Sequence, residues 1–143
     1  MSGGINPTTP QLKAVKNFID AYLTRDVKNV EPLISKDFKF QTFPKITEHP
    51  DEAKDAHFER YGPILTSLTK LEITYHEVIE APGKVIFHAT ADIVTADGTE
   101  LDYDSLVILT LVEEDGVLKI ADFKDFSDPE KRTRVHALAQ KAK

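Results

Sequence analysis

Apolar residues recur at helical spacing near the start of the chain, through Leu12, Val15, Ile19, Tyr22 and Leu23 with Phe18 beside them. Lys13, Lys16, Asp20 and Arg25 fill the opposite side, so the segment reads as an amphipathic helix. Thr9 followed by Pro10 marks its start, a hydroxyl cap and then a proline whose missing N–H costs nothing there. A short second helix is expected over 29–34, and the alternation of Phe38, Phe40 and Phe43 with Lys39, Gln41 and Thr42 predicts a short strand. A third helix is expected from Pro50, with Asp51, Glu52 and Asp55 in its first turns, where the helix dipole favours acids. Its apolar stripe runs through Ala53, Ala56, Tyr61, Ile64, Leu65 and Leu68, with a kink at Pro63.

The second half changes period. Segments 71–81, 85–96, 101–113 and 117–126 are rich in β-branched and aromatic residues and are separated by Pro82-Gly83, Asp97-Gly98 and Asp115-Gly116. Such pairs make hairpin turns, so these segments predict a four-strand antiparallel meander. Strands this long favour a strongly curved sheet. A last helix starts at Ser127 or Asp128, with Pro129 at its first position, and runs into the basic residues Lys141 and Lys143. The fold class is therefore α+β: a curved antiparallel sheet, the meander plus a short extra strand, wrapped around N-terminal helices, with a C-terminal helix, which the resemblance given below makes cone-shaped. Residues 1–8 read as a flexible lead-in and 9–143 as a single domain. A sheet curled around a helix leaves an internal cavity where a small ligand would sit.

Composition narrows the function classes. With 41% hydrophobic and 29% charged residues in 143, the chain can bury a real core. A net charge of −6 argues against a nucleic-acid partner, which needs a basic face. The absence of cysteine removes disulfides, thiolate metal sites and cysteine nucleophiles, and suits the cytoplasm. There is no signal-peptide pattern and no apolar run long enough to span a membrane, so no membrane partner is expected. His49, His76 and His136 lack partners at zinc spacing, and the acidic cluster Glu100, Asp102 and Asp104 lacks the pattern of a calcium loop, so no metal is expected. No phosphate loop or dinucleotide fingerprint is present and no cofactor is expected.

The closing strand, Asp115-Gly116 through Ile120-Ala121-Asp122-Phe123-Lys124-Asp125-Phe126-Ser127-Asp128, together with the element order, resembles the nuclear transport factor 2-like superfamily. The likeness covers residues 10–128 and is nearest to the SnoaL-like branch of polyketide cyclases and limonene epoxide hydrolase. It implies that Asp125, the first of two closing acids, faces the cavity. Thr90-Ala91-Asp92 falls where the epoxide hydrolase carries Arg-x-Asp, so Asp92 matches the acid and Thr90 replaces the arginine. Without that arginine two buried acids repel, and one tends to keep its proton.

These residues nominate Asp125 and Asp92 as a catalytic acid–base pair. His88, Thr90 and Asp92 share one strand face by period two; that face either lines the cavity as a polar wall or points outward. Phe123 is the same-face neighbour of Asp125. His57 and Tyr61, four apart on one helix face, and Tyr22 on the first helix are further ligand-binding candidates, with simple packing against the sheet as the alternative. Two functions stay open. One is a cofactor-free isomerase, cyclase or hydrolase acting on an apolar carbonyl, polyketide or terpenoid; the other is a non-catalytic ligand-binding or dimerisation module. The strand holding Leu106, Val107, Ile108, Leu109 and Leu111 is apolar on both faces, which points to a homodimer through the outer sheet face.

Overall fold

The computed structural model describes residues 5–45 and 50–141 of the chain. Helix α1, Pro10–Leu23, starts as its sequence predicts: the Thr9 side chain accepts from the Leu12 N–H at 3.2 Å. Two short 3-10 turns, Val27–Asn29 and Glu31–Leu33, stand where one helix was expected. Pro32 within so short a polar stretch leaves too few bonded turns for an α-helix. Strand β1, Ile34–Phe43, is longer than the phenylalanine alternation alone implied.

The third expected helix starts later than its acidic residues suggested. Glu52 belongs to a two-residue strand β2, Glu52–Ala53, and helix α2 spans Lys54–Ser67, continuing through Pro63. The meander follows as β3 Leu68–Ala81, β4 Lys84–Thr95, β5 Glu100–Glu114 and β6 Val117–Ser127. At its turns Gly83, Gly98 and Gly116 take φ of 74°, 87° and 79°, the left-handed region that glycine enters without strain. Helix α3, Pro129–Lys141, is capped by the Asp128 carboxylate, which accepts from the Glu130 N–H at 2.9 Å. The first four residues of the expected lead-in, His49 and Lys143 lie outside the described residues. Ile5 is not loose: it is 4% exposed and joins the core.

The six strands form one sheet in the order β2-β1-β6-β5-β4-β3. The meander is antiparallel, but β1 runs parallel to β6, pairing Phe40 with Phe123 and Thr42 with Asp125, so the sheet is not antiparallel throughout. Helices α1 and α2 fill its concave side. Val15 and Phe18 of α1 and Leu65 of α2 are essentially inaccessible, as are Val85 and Leu109 of the sheet. On β4 the buried residues are Val85, Phe87, Ala89 and Ile93, which sends His88, Thr90 and Asp92 to the convex face. On β5 Leu101, Val107, Leu109 and Leu111 point inward, whereas Leu106 is 43% exposed. Small and apolar Ala89 and Ala91 take concave positions, where they line an internal cavity.

Phe18 ties these layers together, with its ring 5.0 Å from Tyr22 and 5.9 Å from Phe123, both edge-on. Phe18→Ala is expected to destabilise the fold by about 3–5 kcal/mol, read as a lower denaturant midpoint at unchanged slope.

Candidate functional site

Between α1, α2 and the concave face lies a mostly apolar cavity of about 100 Å³. Its apolar walls include Leu71, Ile73, Phe87 and Val107, and its polar groups are Tyr22, Tyr61, Tyr103, Ser105 and Asp125. The volume is that of a small organic group, so a larger ligand needs the lining side chains to turn aside.

Asp125 enters from the end of β6, with Phe123 two residues back on the same face and Thr42 of β1 in register beside it. Its Oδ1 is fully buried without a hydrogen-bond partner. Burial raises its pKa to about 6, held from rising further by the Ser105 and Ser127 hydroxyls and by the positive charges of Arg132 and Arg60. Arg132 reaches in from α3, only 6% exposed, bonding the carbonyls of Phe43 and Pro44 and the Ser127 hydroxyl at 3.1–3.2 Å. Positive charge therefore reaches Asp125 from two helices, although Thr90 occupies the arginine position of the epoxide hydrolases.

The tyrosines divide their roles by where their protons go. The Tyr61 and Tyr103 hydroxyls meet each other at the cavity wall. Burial pushes both phenols above the ordinary range, so both stay protonated. Tyr22 is backed by His57, whose Nε2 lies 2.8 Å from the Tyr22 oxygen. His57 is fully buried, stacked on Phe40 with centroids 4.3 Å apart, and its Nδ1 lies 3.5 Å from Oε1 of Glu52. Glu52 accepts from the Nε and Nη2 groups on one edge of the Arg60 guanidinium, to Oε2 and Oε1, each at 2.7 Å. Although burial opposes its charge, the His57 and Arg60 contacts hold its pKa at about 2, so it is a carboxylate that can only accept. The His57 proton therefore sits on Nδ1, and Nε2 accepts the Tyr22 proton. Burial lowers the His57 pKa, chiefly by desolvation and against the pull of Glu52, so the imidazole is neutral at physiological pH.

The expected site divides accordingly. Asp125, Phe123, Tyr22 and Tyr61 line the cavity, and His57 stands one layer behind it. Asp92, His88 and Thr90 are corrections: all three face the convex side, because β4 buries its odd-numbered residues. Asp92 lies in register with Asp102 and beside Lys70 and Arg134, on the far side of the sheet from Asp125, so no acid pair converges in the cavity. Thr90 donates to Asp104 Oδ1 at 2.6 Å and His88 Nε2 lies 3.2 Å from Asp104 Oδ2, both on that outer surface. Sequence reading passed over Tyr103, Ser105, Glu52 and Arg132. The alternation Leu101, Tyr103, Ser105, Val107 would have placed the first two inside; the other two carry no local signal.

Comparison with known proteins agrees with this architecture. The structure is similar to AusH from Aspergillus nidulans, 21% identical over 86% of this chain and 88% of that one, with a TM-score of 0.70. It is also similar to BvnE pinacolase from Penicillium brevicompactum, 12% identical over 91% and 93%, TM-score 0.74. TerC, co-crystallised with polyporic acid, is 18% identical over 92% and 99%, TM-score 0.67. No curated protein matches the sequence. At these identities the likenesses show the nuclear transport factor 2-like fold alone. The SnoaL-like domain family, however, matches residues 15–123 directly, well over half of the sequence, and to that family this chain belongs.

Proposed function

We propose that this protein is a cofactor-free acid–base catalyst that moves a proton next to a carbonyl in a small, largely apolar ligand, an isomerase or cyclase reaction. The observation that carries the reading is a single cavity carboxylate, Asp125, with a pKa near 6 among apolar walls and phenols. A base poised just below neutral is ionised at working pH yet can still return its proton. In this reading Tyr61 donates to the carbonyl oxygen and Asp125 removes the proton from the adjacent carbon. Tyr22, its own proton held by His57, accepts a hydroxyl of the ligand. Epoxide hydrolysis by paired acids is not proposed, since Asp92 lies on the other face. That one neighbour in fold is a pinacolase and another was crystallised with polyporic acid supports a carbon-skeleton or quinone-like ligand. The same cavity without turnover is a ligand-binding module, the reading to adopt if ligands bind but no proton moves.

The test is deuterium uptake from D2O into cyclic 1,3-diketones and hydroxyquinones, followed by NMR. Wild-type protein is expected to accelerate exchange, and Asp125→Asn to lower the rate by about 10²–10⁴. The rate should rise as pH increases through about 6 and then level off, since the base must be ionised. Ligand-induced shifts without exchange would leave the binding module as the function.

Stability supplies an independent check. Burial holds the folded-state pKa of Asp125 at about 6, above the ordinary carboxylate value of 3.8, so the folded state binds the extra proton between pH 3.8 and about 6. Stability is full below the lower value and is lost as pH rises through the upper one. Asp125→Asn is expected to raise unfolding free energy by about 3 kcal/mol near neutral pH, a gain that vanishes at about pH 4 or below.

We also propose a homodimer through the convex face. Phe126 stacks on Phe43 with centroids 4.6 Å apart, lies in register with Leu106, and both Phe126 and Leu106 are more than a third exposed. Sedimentation at micromolar concentration is expected to give twice the 16.0 kDa chain mass, and Leu106→Glu to give the monomer. Wild-type sedimentation as a monomer would remove the proposal.

A further inference from the structure

The convex face carries a cluster that the cavity chemistry does not use. His76 of β3, His88 of β4 and Asp104 of β5 each offer a ligand atom, and these atoms all lie within 4.8 Å of one another. We infer that they form a binding site for a divalent transition metal of the zinc class.

The placement follows from the sheet. His88 and Asp104 are diagonal neighbours across the β4–β5 pair, Asp104 being in register with Thr90. His76 reaches them because the β3–β4 register shifts between Tyr75 and Glu77: Tyr75 opposes Ala89 while Glu77 opposes His88. That bulge inserts His76 beside His88, with ring centroids 4.7 Å apart. One ligand per strand on adjacent strands gives a rigid base, unlike a cluster of surface side chains on loops.

The donor set selects the ion. Two imidazole nitrogens and one carboxylate suit zinc, copper or nickel, whereas calcium and magnesium take oxygen ligands. The surrounding contacts orient the ligands. The Thr90 hydroxyl donates to Asp104 Oδ1 at 2.6 Å, which leaves Oδ2 turned toward His88 Nε2 at 3.2 Å. With its proton given to Asp104, the Thr90 oxygen accepts from His76 Nε2 at 2.7 Å. In the metal-free state both imidazoles therefore carry their protons on Nε2. A metal held at the two Nε2 atoms would require each imidazole's N–H on Nδ1. His88 and Asp104 have 43% and 64% exposed side chains, so water can complete the coordination shell.

Residue spacing hid this site, because metal motifs are read along one segment and these ligands come from three. The site lies across the sheet from Asp125, so it stands or falls apart from the proposed catalysis. The test is calorimetric titration of the untagged full chain with zinc chloride in a non-chelating buffer near neutral pH. One ion per chain in the micromolar range is expected, with cobalt giving a visible d–d spectrum and calcium failing to compete. The His76→Ala, His88→Ala double variant should lose binding while keeping its far-ultraviolet circular dichroism, and Asp104→Asn should weaken it by about tenfold. His49 and His136, untouched in these variants, report adventitious binding. No zinc binding by the wild type, or binding that survives the double substitution, would overturn the assignment.

Discussion

The cavity exists because α1 is wedged against the closing strand through Phe18, whose inaccessible ring meets Tyr22 on its own helix and Phe123 on β6. That contact sets how far the helix stands from the sheet. Closer, and Tyr22 would fill the space in front of Ala89 and Ala91; farther, and water would enter and remove the low dielectric that raises the Asp125 pKa. Phe40 extends the same aromatic layer, 4.9 Å from Phe123 and stacked on His57. Packing and electrostatics are thus one problem here, since the rings that fill the core also exclude the solvent.

Buried polar groups near the cavity are costly, and their arrangement limits the cost. Glu52 stays charged because Arg60 grips both its oxygens with one guanidinium edge, a charge-assisted pair of hydrogen bonds. His57 stays neutral, hydrogen-bonded to Tyr22 through Nε2, with Nδ1 turned toward Glu52 at 3.5 Å. Asp125 keeps its buried Oδ1 without a hydrogen-bond partner inside the cavity. An orphan acceptor of this kind is unfavourable for folding and is relieved when a proton or a ligand hydroxyl arrives.

Much of the fold was legible in the sequence, and the reason is local. Hairpin turns are written in adjacent residues such as Asp115-Gly116, and the α1 cap in Thr9-Pro10, so both were found in place. The face of β4 was harder. Phe87, Ala89 and Ala91 against His88, Thr90 and Asp92 is a clear alternation, but a strand flanked on both faces by partly apolar neighbours does not say which set turns inward. The small alanines, not the polar residues, proved to be the cavity floor. Glu52 was read as a first-turn helix acid because acids are common there, whereas its partner Arg60 lies eight positions away on α2. Arg132 and the His76 bulge depend on contacts between distant segments, which no window along the chain contains.

The hydrogen-bond direction at Tyr22 has one further consequence. With the Tyr22 proton committed to His57 and, in the proposed reaction, the Tyr61 proton offered to the ligand, the cavity would present an acceptor on one side and a donor on the other. A ligand bearing a hydroxyl and a carbonyl can then satisfy both in one orientation and neither when turned end for end. The Asp125 carboxylate, fixed to one side of that axis, meets a single prochiral face of the carbon between them. Handedness in the product would thus be set by a buried histidine that never touches the ligand.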